Sequence, residues 1–417
     1  TIFNSIVYYS LNFTQVISGV LMISTIPVMI IFISSILKIE KTNIFQLLGV
    51  SFSFLGVILI ITKAKFEILM NLDFSDDQKF LKEEAKKFLE KENALARNRT
   101  VLESGNKTDN ELWKKIVDLG WTGIRIPEQY DGLGLGHLEL CVIAEELGRY
   151  LAPVPFSSSV YLFTEAIINY ASDDIKQKIL PKLVSGEVVG TLAVTEALMA
   201  PNKDNISTNC ENGIINGAKI AVPDAEIATH VVVVTKTNKG TSLQLVDLSS
   251  SGVSIEHQEN IDESRGHFSI TFENVESELI GDEVGGWDLY ESIINQAAVL
   301  FSYEQIGGSQ AALDMAINYA QERFAFGRPI GSFQAIKHKL ADMYIAITLA
   351  KSNCYYAAWA LSTNSADLPT ASATARVSST KAFQLCSKEN IQTHGGNGFT
   401  WEYDCHLFYR RSKLLSL

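Results

Sequence analysis

Thr229-His-Val-Val-Val-Val-Thr235 is the stretch that decides the fold class, because it is a short β-branched run in a chain whose other long periods are helical. Three further runs of this kind lie near it, separated by Asn, Gly and Ser turns, at residues 213–216, 242–247 and 268–272. We therefore predict a small β domain over residues 191–284.

Helical periodicity occurs on both sides of this β segment. Before it, residues 70–190 contain four helical segments, at residues 75–92, 110–119, 138–149 and 173–185. After it, residues 285–417 contain long helical periods at residues 289–323, 332–362 and 370–393 and a final piece from residue 403. Four helices in this order predict a bundle. The predicted fold is mainly α, with a helical domain, a small β middle domain and a four-helix bundle.

Composition argues against nucleic acid as a partner and against a zinc site. The formal net charge of the 417 residues is -12, most of it after Asp73, and no Lys or Arg run with interleaved aromatics occurs there. Nucleic acid is therefore not expected as a partner. The five cysteines form no CxxC pair, which predicts reduced packing thiols and no zinc site.

Residues 1–69 have a different character from the rest of the chain. Residues 16–37 carry no charge and are long enough to cross a membrane as a helix, and residues 45–61 form a second apolar run after a polar loop. This predicts a transmembrane hairpin, which resembles the last two helices of drug/metabolite-type (EamA-like) transporters. Two helices enclose no transport pathway, and Met70 looks like a natural start.

We therefore interpret residues 1–69 as foreign to the protein that follows, through a fused or misread gene boundary. The alternative is a true membrane tether. We expect a cytoplasmic location for the part from Met70 onward, and membrane attachment only if the hairpin is genuine.

Several motifs follow one another in a fixed order from Met70 to the end of the chain. They are Ile126-Pro-Glu-Gln-Tyr-Asp-Gly-Leu-Gly134, Glu145-Glu-Leu-Gly148, Val194-Thr195, Asp262-Glu-Ser-Arg265, Glu322-Arg-Phe-Ala-Phe-Gly327, Phe333-Gln334 and Gln392-Thr-His-Gly-Gly-Asn-Gly-Phe399. Through these motifs the chain resembles the acyl-CoA dehydrogenases. The resemblance implies a β-barrel-like middle domain, FAD, oxidation of an acyl-CoA to a trans-2-enoyl-CoA, and electron transfer to an electron-transfer flavoprotein.

The resemblance also implies two groups of cofactor-binding residues. Val194 and Thr195 match the positions that offer backbone groups and a hydroxyl to the edge of the flavin ring. The chain departs from the family nearby, because Glu196-Ala-Leu-Met-Ala-Pro201 replaces a Gly-rich acidic turn and a Trp expected near Ala221 is missing. The local flavin geometry is therefore expected to differ.

The second group matches positions that reach a neighbouring subunit's cofactor, and it consists of Arg323, Phe326 and Gln334 with their partners Gln392, Gly395 and Gly396. A guanidinium suits pyrophosphate oxygens, and paired glycines let backbone N–H groups approach closely. Shared sites imply at least a dimer, homomeric or heteromeric. The alternative for Arg323 is that it only complements a helix dipole.

The catalytic base is not at either position that the family uses. In the larger group it is a Glu that the family's spacing places just beyond Leu417, and in a second group it matches Ala297. Glu304 lies one heptad past Ala297, on the helical stripe of Ile293, Ala297, Leu300, Gly308 and Ala311. Desolvation there would make it a stronger base, so Glu304 is the candidate, although a buried Glu can equally be a structural partner of Arg.

Two functions from different classes follow from this sequence. The first is an acyl-CoA dehydrogenase that acts on an acyl-CoA thioester. The second is a non-catalytic flavin-binding subunit of a heteromeric acyl-CoA dehydrogenase, whose partner supplies the base.

Overall fold

A computed structural model describes residues 74–416 of the chain. The predicted membrane helices at residues 16–37 and 45–61, and with them the transporter resemblance, lie outside the described residues. Within residues 74–416, no helix has the length and apolar character that a membrane span requires.

The first part is helical, as predicted. Its helices are α1 Asp76–Lys91, α2 Ala94–Ser104, α3 Asn110–Asp118, α4 His137–Arg149, α5 Glu165–Tyr170 and α6 Asp173–Val184, and a π-helical segment, Ser157–Thr164, precedes α5. The Asp109 side chain caps α3 by accepting from the Leu112 N–H, and Ser172 caps α6 in the same way. The sequence missed α2, which lies in a polar stretch with weak apolar periodicity.

The middle part is one eight-stranded sheet in the order β6-β7-β3-β2-β4-β5-β8, with β1 paired to β4. The strands are β1 Gly190–Ala193, β2 Asn209–Glu211, β3 Ile214–Pro223, β4 His230–Thr237, β5 Gly240–Asp247, β6 Val253–Gln258, β7 His267–Glu276 and β8 Glu278–Ile280. The four predicted runs are confirmed as β3, β4, β5 and β7, and the valines of β4 form part of the sheet's core. Among the described strands the outermost ones, β6 and β8, are not paired with each other.

The last part contains three long helices and one short one. They are α7 Gly286–Glu322, α8 Gln334–Ser362, α9 Leu368–His394 and α10 Cys405–Leu414. The predicted final piece from residue 403 is α10, which has 10 residues, and the glycine-rich turn Gly395–Phe399 separates it from α9. All five cysteines are free and buried, as expected for packing thiols.

Helices α4 and α7 cross in close contact, and glycines make this approach possible. A Cβ at Gly307 would lie 1.7 Å from the Glu145 carbonyl oxygen, and one at Gly148 would lie 1.9 Å from the Glu304 carbonyl oxygen. Both obstacles are backbone atoms, so neither can be moved without shifting a helix. The crossing therefore fixes the position of Glu304, on α7, relative to α4.

Gly307→Ala tests this crossing. We expect a loss of about 1–3 kcal/mol in the free energy of unfolding, because the added methyl forces α4 and α7 apart. Urea unfolding monitored by circular dichroism measures it. Gly396→Ala is the matched control, since a Cβ there would meet no atom within 4 Å. Equal stability of the two variants would contradict the close approach.

Candidate active site

A cavity of ≈ 510 Å³ opens between the sheet and the helices of the last part. The sheet side contributes Val194 and Thr195, which follow β1, together with Ala221 of β3, and α7 contributes Ala297. The other lining residues are Ser157, Leu162, Leu192, Ile220, Pro223, Arg265, His267, Tyr290, Ile294, Ala298, Phe301, Arg376, Leu414 and Leu415. The structure thus brings the predicted flavin-ring residues and Ala297 to the same cavity.

Val194 and Thr195 are held from behind by a buried ion pair. Lys219 of β3 donates from Nζ to the Val194 carbonyl at 3.1 Å and to Glu196 Oε1 at 2.6 Å. Burial lowers the pKa of Lys219 to about 8, although Glu196 opposes the shift. Burial alone would raise the pKa of Glu196, but hydrogen bonds from Lys219, Ser207 and Thr208 bring it down to about 2. This pair fixes the segment that replaces the family's Gly-rich turn.

Ala221 lies at an irregularity of β3, where the pairing with β7 shifts register between Lys219 and Val222. Its φ of 53° is in the left-handed region, and its N–H donates to Gln258 Oε1 at 2.8 Å. The side chain of Ala221 is a single methyl group. At this position it therefore does not place the indole ring of the expected Trp on the cavity wall. His267 of β7 lines the same wall, and burial lowers its pKa.

Glu304 lies in a buried charge cluster, which we define as Asp224, Asp262, Arg265, Glu304 and Arg411. Glu304 is 4% exposed, and its Oε1 lies 3.6 Å from Arg265 Nη1 and 3.7 Å from Arg411 Nη1. The cluster joins the first helical part, the sheet and the bundle, because Arg265 also donates to Ser157 of the π-helical segment. The predicted stripe is confirmed as buried, but Glu304 is not among the residues that line the cavity.

Asp262 and Arg411 are the most tightly paired members of this cluster. Arg411 Nε donates to Asp262 Oδ2 at 2.5 Å, and Arg411 Nη2 donates to Ser264 Oγ at 2.9 Å. Burial raises the pKa of Asp262, but Arg411 and the Ser264 hydroxyl outweigh this effect and leave it below its ordinary value. The pair therefore ties the loop before β7 to α10.

The second predicted group lies on an exposed end of the bundle, away from the cavity lining. Tyr319 of α7 stacks on His394 of α9 with ring centroids 4.0 Å apart, so the ends of these helices lie side by side. A two-residue turn between the short strands β9 Phe324–Ala325 and β10 Arg328–Pro329 leaves Phe326 95% exposed. Also exposed are Arg323, Gln334, Gln392, Gly395 and Gly396.

The two glycines at this end leave room for a bound group. Gly395 has a φ of 61°, and a Cβ at either Gly395 or Gly396 would meet nothing within 4 Å. Backbone N–H groups in such a turn can approach an anion without steric hindrance. None of the six residues of the second group lines the cavity that contains Val194 and Thr195.

Sequence reasoning missed the three basic residues that line the cavity: Arg265, His267 and Arg376. Arg265 ends the Asp262-Glu-Ser-Arg265 motif, which gave it a signal but no role. Arg376 lies in the interior of α9, where the many Thr and Ser residues leave no clear apolar periodicity. No pattern in the sequence marks which face of α9 turns toward the cavity.

Comparison with known proteins agrees with this architecture. The model "Acyl-CoA dehydrogenase, N-terminal domain" matches residues 75–187, and "Acyl-CoA dehydrogenase, C-terminal domain" matches residues 285–417. The mitochondrial isovaleryl-CoA dehydrogenase of Oryza sativa subsp. japonica is 31% identical over 369 residues, which are 83% of this chain and 88% of that protein.

Two solved structures share the fold. One, described as the electron transferring flavoprotein of Acidaminococcus fermentans, has a TM-score of 0.78 at 25% identity and covers 84% of this chain and 95% of its own. The ChsE4-ChsE5 complex from Mycobacterium tuberculosis has a TM-score of 0.76 at 24% identity, and the match covers 83% of this chain and 94% of that chain. At 24% identity, the second likeness shows the fold alone.

These family matches, over the helical order and the sheet described above, show an oxidoreductase that acts on a CH–CH bond with FAD. The chain belongs to the acyl-CoA dehydrogenase family.

Proposed function

We propose that this chain oxidises an acyl-CoA thioester to the trans-2-enoyl-CoA and passes the electrons to an electron-transfer flavoprotein. The observation that carries the proposal is the cavity that Val194 and Thr195 share with Ala297. The likeness to the Acidaminococcus fermentans structure supports the proposed electron acceptor. We also propose that residues 70–190, 191–284 and 285–417 are the three domains of this enzyme.

The residues present fit an FAD molecule. Val194 and Thr195 would hold the ring through backbone groups and the Thr195 hydroxyl, and Arg323 would pair with the pyrophosphate of a second copy's cofactor. Phe326, Gln334 and Gln392 would line that end, and Gly395 and Gly396 leave their backbone open to it. When bound, FAD supplies the acceptor for the β-hydride of the acyl group. We therefore propose a homo- or hetero-oligomer.

The protein's own task is to hold the acyl group beside the ring and to accept the α-proton. Ala297 cannot accept a proton, and among the described residues that line the cavity there is no carboxylate. Glu304 stays the predicted base, but its contacts with two guanidiniums favour a structural role.

The lack of a carboxylate among the described lining residues favours a second candidate function. In this alternative the chain is a non-catalytic, flavin-binding partner subunit of a heteromeric acyl-CoA dehydrogenase. The similarity to the ChsE4-ChsE5 complex is a similarity of fold alone. The alternative therefore rests on the composition of the cavity.

Glu304→Gln separates the two roles of this residue. From its contacts we expect the free energy of unfolding to fall by about 1–3 kcal/mol, because Arg265 and Arg411 lose a carboxylate. The rate of flavin reduction by acyl-CoA should stay within about threefold of the wild type. A loss of that rate by about 10²-fold or more, at unchanged stability, would instead make Glu304 the base.

Anaerobic mixing of the purified, FAD-loaded chain with acyl-CoA thioesters tests the function itself. Bleaching of the flavin's visible absorbance with formation of enoyl-CoA is the expected result. FAD binding without bleaching by any thioester would favour the non-catalytic subunit, and absence of FAD binding would contradict both functions.

A further inference from the structure

Two guanidiniums lie on the wall of the cavity, one from the loop before β7 and one from α9. Arg265 is 6% exposed, and its Nε is buried without a hydrogen-bond partner. Arg376 Nη1 is also buried without a partner, and the guanidinium lies over the Phe301 ring at 5.3 Å. Both residues line the cavity, and no described carboxylate lines it with them.

Buried guanidiniums of this kind destabilise the folded state unless they are paired. A buried polar group without a partner carries a desolvation cost, and a charged group carries a larger one. Burial lowers the pKa of Arg376 to about 10, with Glu304 opposing the shift, so its charge is poorly compensated. Arg376 as a whole is only partly buried and lines the cavity, so a ligand carboxylate there can compensate its charge.

The protein's own acids are largely engaged elsewhere. Asp262 accepts from Arg411 at 2.5 Å, and Asp224 accepts from Arg265 and from Ser158. Glu304 lies 3.6 Å and 3.7 Å from Arg265 and Arg411. No ion pair within residues 74–416 involves Arg376, which leaves it as the guanidinium available to a ligand.

The position of Arg376 matches the far end of an acyl chain. Phe301, which the Arg376 guanidinium covers, follows Ala297 by one helical turn, roughly 6 Å along the axis of α7. Apolar side chains of Leu162, Ile294 and Leu415 line the same cavity. An acyl group with its reacting carbons near Ala297, and with its chain directed along α7 toward Phe301, would place its distal end near Arg376.

We propose that the substrate is an acyl-CoA whose acyl group ends in a carboxylate, and that Arg376, assisted by Arg265, binds this carboxylate. This inference rests on the proposed function, because it assumes that the cavity holds the acyl group. A planar guanidinium can bind both oxygens of a carboxylate at once. A plain alkyl chain would instead leave the charge of Arg376 without a partner.

Calorimetric binding of three six-carbon thioesters to the full, FAD-loaded chain tests the proposal. Adipoyl-CoA carries a terminal carboxylate, 5-oxohexanoyl-CoA a neutral oxygen, and hexanoyl-CoA neither. We expect adipoyl-CoA to bind about 10- to 100-fold more tightly than hexanoyl-CoA. Equal affinities would overturn the inference and leave the proposed function intact, as would a preference for the 5-oxo compound. Binding of none of them would instead overturn the proposed function.

Variants of Arg376 assign the preference to this residue. Arg376→Met should reduce the ratio of adipoyl-CoA to hexanoyl-CoA affinity to about 1, and Arg376→Lys should keep only part of it, because an ammonium lacks the planar fork. Arg410→Met is the matched control, because Arg410 does not line the cavity. This variant should keep the full ratio of adipoyl-CoA to hexanoyl-CoA affinity. A ratio unchanged in Arg376→Met would overturn the assignment. The wild-type comparison stands even where that variant folds poorly.

Discussion

Arg411→Met is expected to lower the free energy of unfolding by about 3–5 kcal/mol, enough to leave much of the protein unfolded at moderate temperature. The Arg411 guanidinium is fully buried and lies between Asp262, at 2.5 Å, and Glu304, at 3.7 Å. Its loss leaves two buried carboxylates with less compensation and removes a hydrogen bond to Ser264. Urea unfolding followed by tryptophan fluorescence measures the change.

Arg410→Met is the control for this prediction, because it makes the same substitution at the adjacent position. Arg410 Nη1 donates to the Ile261 carbonyl at 3.2 Å at the surface, so its loss should change stability by less than about 1 kcal/mol. Similar stability of the two variants would show that the buried charge cluster does not hold the sheet to the bundle.

Lys219→Met is expected to have the second large effect, on both stability and cofactor affinity. It leaves Glu196 without its ion-pair partner and removes the hydrogen bond to the Val194 carbonyl. Loss of one partner of a buried pair costs about 3–5 kcal/mol. Because the segment that carries Thr195 loses its support, we expect the Kd for FAD to rise by at least about tenfold, measured by fluorescence titration.

Lys236→Met controls for the loss of a lysine in the sheet. Lys236 lies on the neighbouring part of the sheet, in β4, with an exposed side chain. We expect its FAD affinity and stability to match the wild type. Normal FAD binding by Lys219→Met would mean that Val194 and Thr195 do not depend on this ion pair for their position.

Much of the fold was predictable, because long helices and strands show a clear apolar periodicity in the sequence. The runs that became β3, β4, β5 and β7 were visible in the sequence, as were α7, α8 and α9. The short strands β2 and β8 were missed, because each has three residues and depends on its sheet partners rather than on local preference. The open ends of the sheet were also unpredictable, since pairing is a long-range property.

The candidate site was predictable where motifs marked it and not elsewhere. Val194, Thr195 and Ala297 were named from the sequence, and the structure brings them to one cavity. The sequence also placed Glu304 on a buried stripe, but it could not show the two arginines that face it, which come from residues about 40 and 107 positions away. Arg376 was missed for the same reason, because only the packing of α9 against α7 decides what its side chain meets.

We expect the cavity between the sheet and α7 to receive both the flavin ring and the acyl group. A crystal structure of the FAD-loaded chain with a bound acyl-CoA is the decisive test. The ring should contact Val194 and Thr195, and the acyl chain should run past Ala297 toward Arg376. Density for the ring or the acyl chain at another site, with this cavity filled only by water, would contradict it.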